Sequence, residues 1–333
     1  MSLRLGIIGA GSISKFHILA ARNAGFRISA ICASENSKSA LKLKDEFEID
    51  EYYTNSTKLI NSTSYDCIAI ITQPEVTMEL IFDVADKKIP ILIEKPVSMN
   101  SHSLIKFKDL NNVLVAYNRR YYNTIAELKK EHYTNAGIFK FVSVESLGNT
   151  NNKFSLVKNE ILKNTVHMLD LIRYILGDIS LENFTFFSTN LLLTCNVLQN
   201  KKNVGQFSLS FNSKKNTCID FENPLINIRL CPIEKLKKYD SFNIKSPDDT
   251  YSYTRYKPIF SQSPNGFEII ETGRLKPGFQ GLYEDFKSMC MNGPESVKGA
   301  SILDAISTLK LAEQLVRKYE EFELSSSPPI HST

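Results

Sequence analysis

The sequence predicts an α/β protein in two parts: a doubly wound parallel sheet over residues 1–118, then an α/β domain with a large, mainly antiparallel open sheet over residues 119–325. Three observations predict it. Short β-branched runs alternate with helix-length amphipathic stretches through the first part, the pattern of right-handed βαβ units. After Arg119, strand-like stretches follow one another without crossover helices, as antiparallel strands do. The length, 333 residues, is that of two ordinary domains.

In the first part, residues 3–9 form a short apolar run. Residues 12–24 then place Ile13, Phe16, Leu19 and Ala20 at helical spacing. A second strand is expected over 27–33 and a polar helix over 37–47. CIAIIT (67–72) and PILIE (90–94) are continuous apolar runs, expected of strands covered on both faces. A helix over 74–87 separates them, and 113–116 is the last strand. In the second part, helices are expected over 122–132 and, unbroken, over 160–176. Strands are expected over 139–147, 183–188, 192–198, 204–211, 217–222 and 225–230, and closing helices over 283–291 and 301–322. Residues 239–265, rich in Ser, Pro, Asp and Tyr, read as a long functional or mobile loop. Residues 326–333 read as a disordered tail.

Composition narrows the function. Forty basic residues against thirty-six acidic ones give +4, without a dense Lys/Arg block. That balance argues against nucleic acid or an anionic membrane as partner. No apolar run approaches the ~18–20 residues of a membrane span. Six scattered cysteines form no CxxC pair, so neither a disulfide framework nor a zinc site follows from their spacing. No signal peptide is read, and a reduced, cytoplasmic compartment is expected.

GIIGAGSIS places Gly9, Gly11, Ser12, Ile13 and Ser14 between a strand and a helix, the context of a dinucleotide-binding turn. Gly9 permits the tight turn, Gly11 admits a pyrophosphate, and the helix start offers N–H groups to its charge. Ser14 replaces the third glycine. At the end of the second strand, where NAD enzymes carry an acid, stands Ala33. Ser34, Asn36 and Lys38 nearby lean the reading toward NADP, with NAD left open and Glu35 one residue out of register.

Several stretches together resemble the Gfo/Idh/MocA family, named for glucose–fructose oxidoreductase and inositol dehydrogenase. They are GIIGAGSISKFH with its His17, TQPEVT (72–77), IEKP (93–96), AYNRRYY (116–122), VHMLDL (166–171) and LKPGFQGLYEDF (275–286). The matches run through nearly the whole chain in order, although Thr77 stands where the family often has histidine. The resemblance implies a Rossmann domain followed by an α/β domain whose open sheet makes a homodimer or homotetramer. It implies an NAD(P)-dependent oxidoreductase moving hydride between nicotinamide and a carbinol or ketone carbon of a small sugar-type substrate. A nucleotide- or phosphate-linked sugar fits as well. Cofactor contacts are expected from Gly9, Gly11, Ser12, Ile13, Ser34, Thr72, Gln73, Glu94 and Lys95, and no metal is expected. Lys95, at the end of a parallel strand, is the expected donor to the substrate oxygen.

Within EILKNTVHMLDL, an unbroken helix puts Lys163, His167, Asp170 and Tyr174 on one side. Alone, that is a wet amphipathic face. Beside EKP, the resemblance makes His167 the proton relay and Asp170 its partner or a substrate ligand. Lys163 departs from the family's DxxxHxxD pattern. A cation there is expected to lower the pKa of His167, which leaves three outcomes: Lys95 or another group is the main acid/base residue, Lys163 binds an anionic substrate group, or the chain is a catalytically silent dinucleotide-binding protein with a regulatory or scaffold role. Tyr117 and Arg119, at the crossing between the two parts, are further candidates for substrate. Arg119 and Arg120 serve either an anion site or structural pairing.

Overall fold

β1 (Arg4–Ile8), β2 (Arg27–Cys32), β3 (Glu51–Tyr53), β4 (Cys67–Ile70), β5 (Ile91–Ile93) and β6 (Val113–Val115) form one parallel sheet in the computed structural model. The model describes residues 2–148, 153–187, 192–260, 268–271, 273 and 275–326. The strand order is β3-β2-β1-β4-β5-β6. The chain winds outward from β1 in both directions and places the β1 and β4 carboxyl ends side by side, with Ile8 paired to both Cys32 and Ile70. All residues of β4, β5 and β6 are buried, which is why their sequences are apolar without alternation.

The connecting helices are α1 (Ser14–Asn23), α2 (Lys38–Glu46), α3 (Ser56–Ile60), α4 (Pro74–Ala85) and α5 (Ser101–Leu104). Local chemistry sets their starts. Ser37 caps α2 by accepting from the Ala40 amide, and Pro74 opens α4 where a missing N–H costs nothing. The short strand β3 and helix α3 were not expected from the sequence.

The second sheet has nine strands: β7 (Ile138–Glu145), β8 (Ser180–Phe187), β9 (Leu192–Gln199), β10 (Lys202–Phe211), β11 (Cys218–Glu222), β12 (Asn227–Leu230), β13 (Lys235–Lys245), β14 (Arg255–Phe260) and β15 (Glu268–Ile270). Their order is β14-β13-β12-β11-β7-β10-β9-β8, with β15 on β13. Every pair is antiparallel except β7 with β10. Burial alternates along β9, as on a sheet with one covered face. Helix α6 (Asn123–Thr134) packs on this sheet, its His132 ring 5.0 Å from Phe139 and 5.9 Å from Phe221.

Three expectations are corrected. Most of the described part of the expected loop 239–265 is the β13–β14 hairpin, with Tyr239 opposite Phe260 and Lys245 opposite Arg255; residues 261–265 lie outside the described residues. The strand propensity of Tyr, Phe and Ile prevails there over the Ser and Pro signals. Cys218 and Cys231 are joined by a disulfide, Cα atoms 4.6 Å apart, because the β11–β12 hairpin brings them together. The helix expected over 160–176 is interrupted: α7 (Lys153–Glu160) is followed by a π-helical turn, Ile161–Thr165, and then by α8 (Val166–Leu176). Of the expected disordered tail, 327–333 lie outside the described residues.

Helices α9 (Phe279–Asn292) and α10 (Ile302–Ser326) complete the chain. The compact units differ from a linear division at residue 118. The first unit combines the chain up to Tyr121 with Ile161–Asp170 and Gly273–Arg317; the second holds Tyr122–Glu160, Leu171–Thr272 and the chain from Lys318. His167 therefore belongs to the same unit as the parallel sheet. Among the described residues, no helix is long and apolar enough to cross a membrane.

Candidate active site

After β1 the chain turns at Gly9, with φ +117°. A Cβ there would stand 2.0 Å from the Ile71 carbonyl oxygen, so both conformation and packing demand glycine. Gly11 is different. A Cβ on it would meet no atom of the described residues within 4 Å, so packing among them does not require glycine there. The open space adjoins the start of α1, which has no side-chain cap. Uncapped N–H groups at a helix start favour phosphate. Ser12 is exposed and Ile13 half-buried at this turn, and the Ser14 hydroxyl donates to the Gly9 carbonyl at 3.2 Å. These residues fit a dinucleotide's pyrophosphate.

The loops beside it carry the remaining expected contacts. Ala33 and the exposed Ser34 follow β2, where the Tyr52 hydroxyl donates to the Ser34 carbonyl at 2.8 Å. Past β4, the hydroxyls of Thr72 and the buried Thr77 lie 2.8 Å apart, and exposed Gln73 caps α4 through its backbone alone. Ser34 thus sits on the loop after β2, and Thr72 and Gln73 on the loop after β4, all at the carboxyl end of the parallel sheet.

Glu94 and Lys95 follow β5. Glu94 was expected to meet the cofactor, but its carboxylate is turned inward. One oxygen lies 2.9 Å from His17 Nε2 and the other accepts from the Lys95 amide at 2.8 Å. His17 Nδ1 is 3.0 Å from the Tyr283 hydroxyl. A nearly buried carboxylate needs such partners. Burial first, then Glu94 and Cys67, hold the Tyr283 pKa well above its ordinary value, so the phenol stays a donor. With that hydroxyl donating to Nδ1, Nε2–H is donated to Glu94 and all three groups are satisfied. Sequence reasoning singled out His17 only through the resemblance and missed Tyr283, which lies 266 positions away.

The Lys95 side chain is half-buried, and its ammonium donates to the Lys163 main-chain carbonyl at 2.9 Å. That carbonyl belongs to the π-turn. Where the register changes from i→i+5 to i→i+4, carbonyls drop out of the regular helical ladder, and such turns recur at functional sites. Lys163's own side chain has no hydrogen bond or ion pair with any described residue.

His167 lies in the first turn of α8 with its ring edge-on to the buried Tyr117, centroids 6.2 Å apart. Its Nδ1 is buried without a hydrogen-bond partner among the described residues. Burial first, then the charges of Lys95, Arg119 and Lys276, push its pKa well below 6.5, so the imidazole is neutral at neutral pH. The lowering expected from Lys163 comes instead from burial first and then from three other cations.

Asp170 is corrected as well. It was expected beside His167 or substrate, but it is 1% exposed and bound at both oxygens by Arg120, 2.8 Å to Nε and 2.6 Å to Nη2. Asp304 lies 3.4 Å from the same guanidinium. Burial opposes charge on Arg120, yet Asp170 and Asp304 more than offset it and raise its pKa. Arg120 is thus a structural pair, while the half-buried Arg119 has no hydrogen bond or ion pair with any described residue. The site gathers one lysine held by a carbonyl, one neutral imidazole and surrounding cations, a set able to polarise an oxygen and accept its proton.

The sequence model of the family described as an oxidoreductase family with an NAD-binding Rossmann fold matches residues 3–120. The inositol 2-dehydrogenase of Corynebacterium glutamicum is 27% identical over 138 residues, 38% of this chain and 41% of its own length. The myo-inositol 2-dehydrogenase of Thermotoga maritima is 22% identical over 185 residues, 53% of this chain and 55% of its own. The chain thus spans about half or less of the length of these relatives. Among solved structures, levoglucosan dehydrogenase in complex with NADH superposes with a TM-score of 0.74 at 16% identity, covering 96% of this chain and 98% of its own. An Agrobacterium radiobacter oxidoreductase solved with NAD+, L-tartaric acid and magnesium gives 0.71 at 18%, covering 94% and 95%. These likenesses show a shared fold along nearly the entire chain.

Proposed function

We take as premise that the chain belongs to the Gfo/Idh/MocA oxidoreductase family, a membership carried by residues 3–120, and propose that it transfers hydride between a nicotinamide dinucleotide and a carbinol or ketone carbon of a sugar or polyol. One observation carries the reading: Lys95 is fixed to the helical segment that bears His167, and its charge acts on that imidazole. The relatives' names, inositol dehydrogenases, support a polyhydroxylated substrate.

The dinucleotide, when bound, supplies the hydride acceptor or donor. Gly9, Gly11, Ser12 and Ile13 hold its pyrophosphate, and Thr72, Gln73 and Ser34 line the neighbouring loops. Lys95 donates to the substrate's reacting oxygen and stabilises charge that develops on it. His167, neutral at neutral pH, takes the hydroxyl proton in the oxidative direction and returns it in the reductive one. Tyr117 shapes the imidazole's surroundings from its edge-on position. The absence of an acid at Ala33 leans cofactor choice to NADP. A cytoplasmic location and a homodimer or homotetramer built on the open sheet belong to the same reading.

A second reading, a silent dinucleotide-binding protein, is favoured by Lys163 standing where the family has aspartate. Fluorescence titration with NADH and NADPH, followed by a turnover screen on polyols and sugars, separates the two. Turnover of any panel member supports the enzyme. Tight cofactor binding with no turnover throughout supports the silent protein.

A further inference from the structure

Three buried polar side chains in the unit of the parallel sheet have no part in the hydride transfer proposed above: His17, Glu94 and Tyr283. They come from α1, the end of β5 and α9, and each bonds the next. The Tyr283 hydroxyl lies 3.0 Å from His17 Nδ1, and His17 Nε2 lies 2.9 Å from Glu94. The imidazole also packs edge-on against Phe279 and Tyr283, ring centroids 4.9 and 5.8 Å away. Wholly buried against these rings, it has little room to turn.

A buried histidine–carboxylate pair commonly does no more than satisfy a core. Here the chain of bonds runs on. The Glu94 amide still joins the sheet, donating to the Ile70 carbonyl at 2.9 Å. The next amide, that of Lys95, donates instead to the second oxygen of the Glu94 side chain at 2.8 Å. Pro96, which follows, has no N–H to offer. The Lys95 backbone is thus anchored, where the chain leaves β5, by the carboxylate that His17 orients. Its ammonium is held at the other end by the Lys163 carbonyl. A misplacement of about 1 Å can slow a reacting group roughly a hundredfold, so an anchor on this backbone bears on rate.

Resting on the oxidoreductase reading above, we propose that His17 and Tyr283 are positioning residues: they hold the Glu94 carboxylate on the Lys95 amide and so set where the Lys95 side chain starts toward the substrate oxygen. Tyr283 keeps its proton and donates it to Nδ1, which selects the tautomer with Nε2–H facing the carboxylate. His17 gives that proton to one oxygen of Glu94, and the other oxygen takes the Lys95 N–H. His17 also ties this support to the dinucleotide turn, since its own amide donates to the Ile13 carbonyl at 3.3 Å.

The test follows the Lys95 amide itself, by solvent exchange in NMR spectra of the full chain carrying isotopically labelled lysine. Its signal is identified by its loss in Lys95→Arg. In His17→Leu the carboxylate loses a buried donor, and Lys95 exchange should quicken about tenfold or more. Lys42 and Lys310, in α2 and α10 of the same unit, should exchange as before. With a polyol that the protein turns over, kcat should fall about tenfold or more while KM stays within about threefold. His17→Gln, whose side-chain N–H replaces Nε2–H, should stay within about threefold of the original in both exchange and kcat. Tyr283→Phe releases the tautomer, should move both readouts in the same direction as His17→Leu, and serves where that variant fails to fold.

Unchanged Lys95 exchange in His17→Leu and Tyr283→Phe overturns the proposal. So does equal quickening of Lys95, Lys42 and Lys310, which a general loosening would give. Equal losses in His17→Leu and His17→Gln, or a kcat that does not follow the exchange, overturn it too. The expected exchange pattern in a chain that turns over no polyol upholds the support of Lys95 and counts against the oxidoreductase reading alone.

Discussion

The ammonium of Lys95 is held at 2.9 Å by the main-chain carbonyl of Lys163, across 68 positions of sequence. The carbonyl lies in the π-turn, where the helical ladder changes register and leaves backbone oxygens open to outside donors. Lys163 thus contributes to the site through its backbone, whatever its side chain does.

Deleting Asn164 should remove the extra residue of that turn and restore a continuous helix. A charge-assisted hydrogen bond is worth roughly 1.5–3 kcal/mol, so kcat should fall about tenfold to a hundredfold. NADH affinity, measured by fluorescence, should stay within about threefold of the original. An unchanged kcat would show that Lys95 does not need the carbonyl.

The two loop glycines should separate stability from binding. Gly9→Ala forces a Cβ to 2.0 Å from the Ile71 oxygen at φ +117°, and a loss of several kcal/mol, roughly 3 or more, is expected in urea unfolding. Gly11→Ala meets no atom within 4 Å and should change stability by less than about 0.5 kcal/mol. It should nevertheless weaken NADH binding about tenfold or more, because the added methyl occupies the pyrophosphate's space. Equal NADH affinity in Gly11→Ala would remove the phosphate from that turn.

The pH dependence follows from His167. Its folded pKa lies well below 6.5, so it stays an unprotonated base as pH falls past 6.5. The acid limb of kcat/KM should therefore lie below 6.5. Lys276→Gln removes a cation that disfavours imidazolium, so the limb should move to higher pH. The same depression contributes stability that is fully present above about 6.5 and is lost as pH falls from there through the folded pKa. Urea unfolding of His167→Gln should show a flatter dependence on pH over that acid interval. A limb that moves to lower pH in Lys276→Gln contradicts the assignment.

Arg120 and Asp170 should behave as a structural pair. Both side chains are almost wholly buried, 5% and 1% exposed, and removing one partner takes away the two-bond ion pair that offsets the other's burial, with only Asp304 at 3.4 Å remaining among the described partners of Arg120. Asp170→Asn or Arg120→Met is expected to cost about 3–5 kcal/mol in denaturant unfolding. An Asp170→Asn protein of normal stability with a raised KM would return Asp170 to the substrate.

Much of this architecture is legible in the sequence, for identifiable reasons. β4 and β5 are covered on both faces, so CIAI and ILI could only be apolar, and the glycines of GIIGAG announce the turn that follows β1. β3 escaped notice because EYY is short, half-exposed and at the sheet's edge. The π-turn is invisible in EILKNTVHML, whose apolar positions keep ordinary helical spacing. The fates of Glu94 and Asp170 depended on partners distant in sequence, Glu94 on His17 and Tyr283, Asp170 on Arg120. A carboxylate in a crevice reads alike whether it faces ligand or protein.

The most direct test follows a deuterium label from the carbinol carbon of a turned-over polyol or sugar into the nicotinamide, read by mass spectrometry in the original protein and in Lys95→Met. The label should appear in NADH or NADPH, and the variant should transfer it about a hundredfold or more slowly while binding the cofactor with similar affinity. Cofactor bound tightly with no label transferred from any carbinol in the panel, or transfer at an unchanged rate in Lys95→Met, would contradict the account.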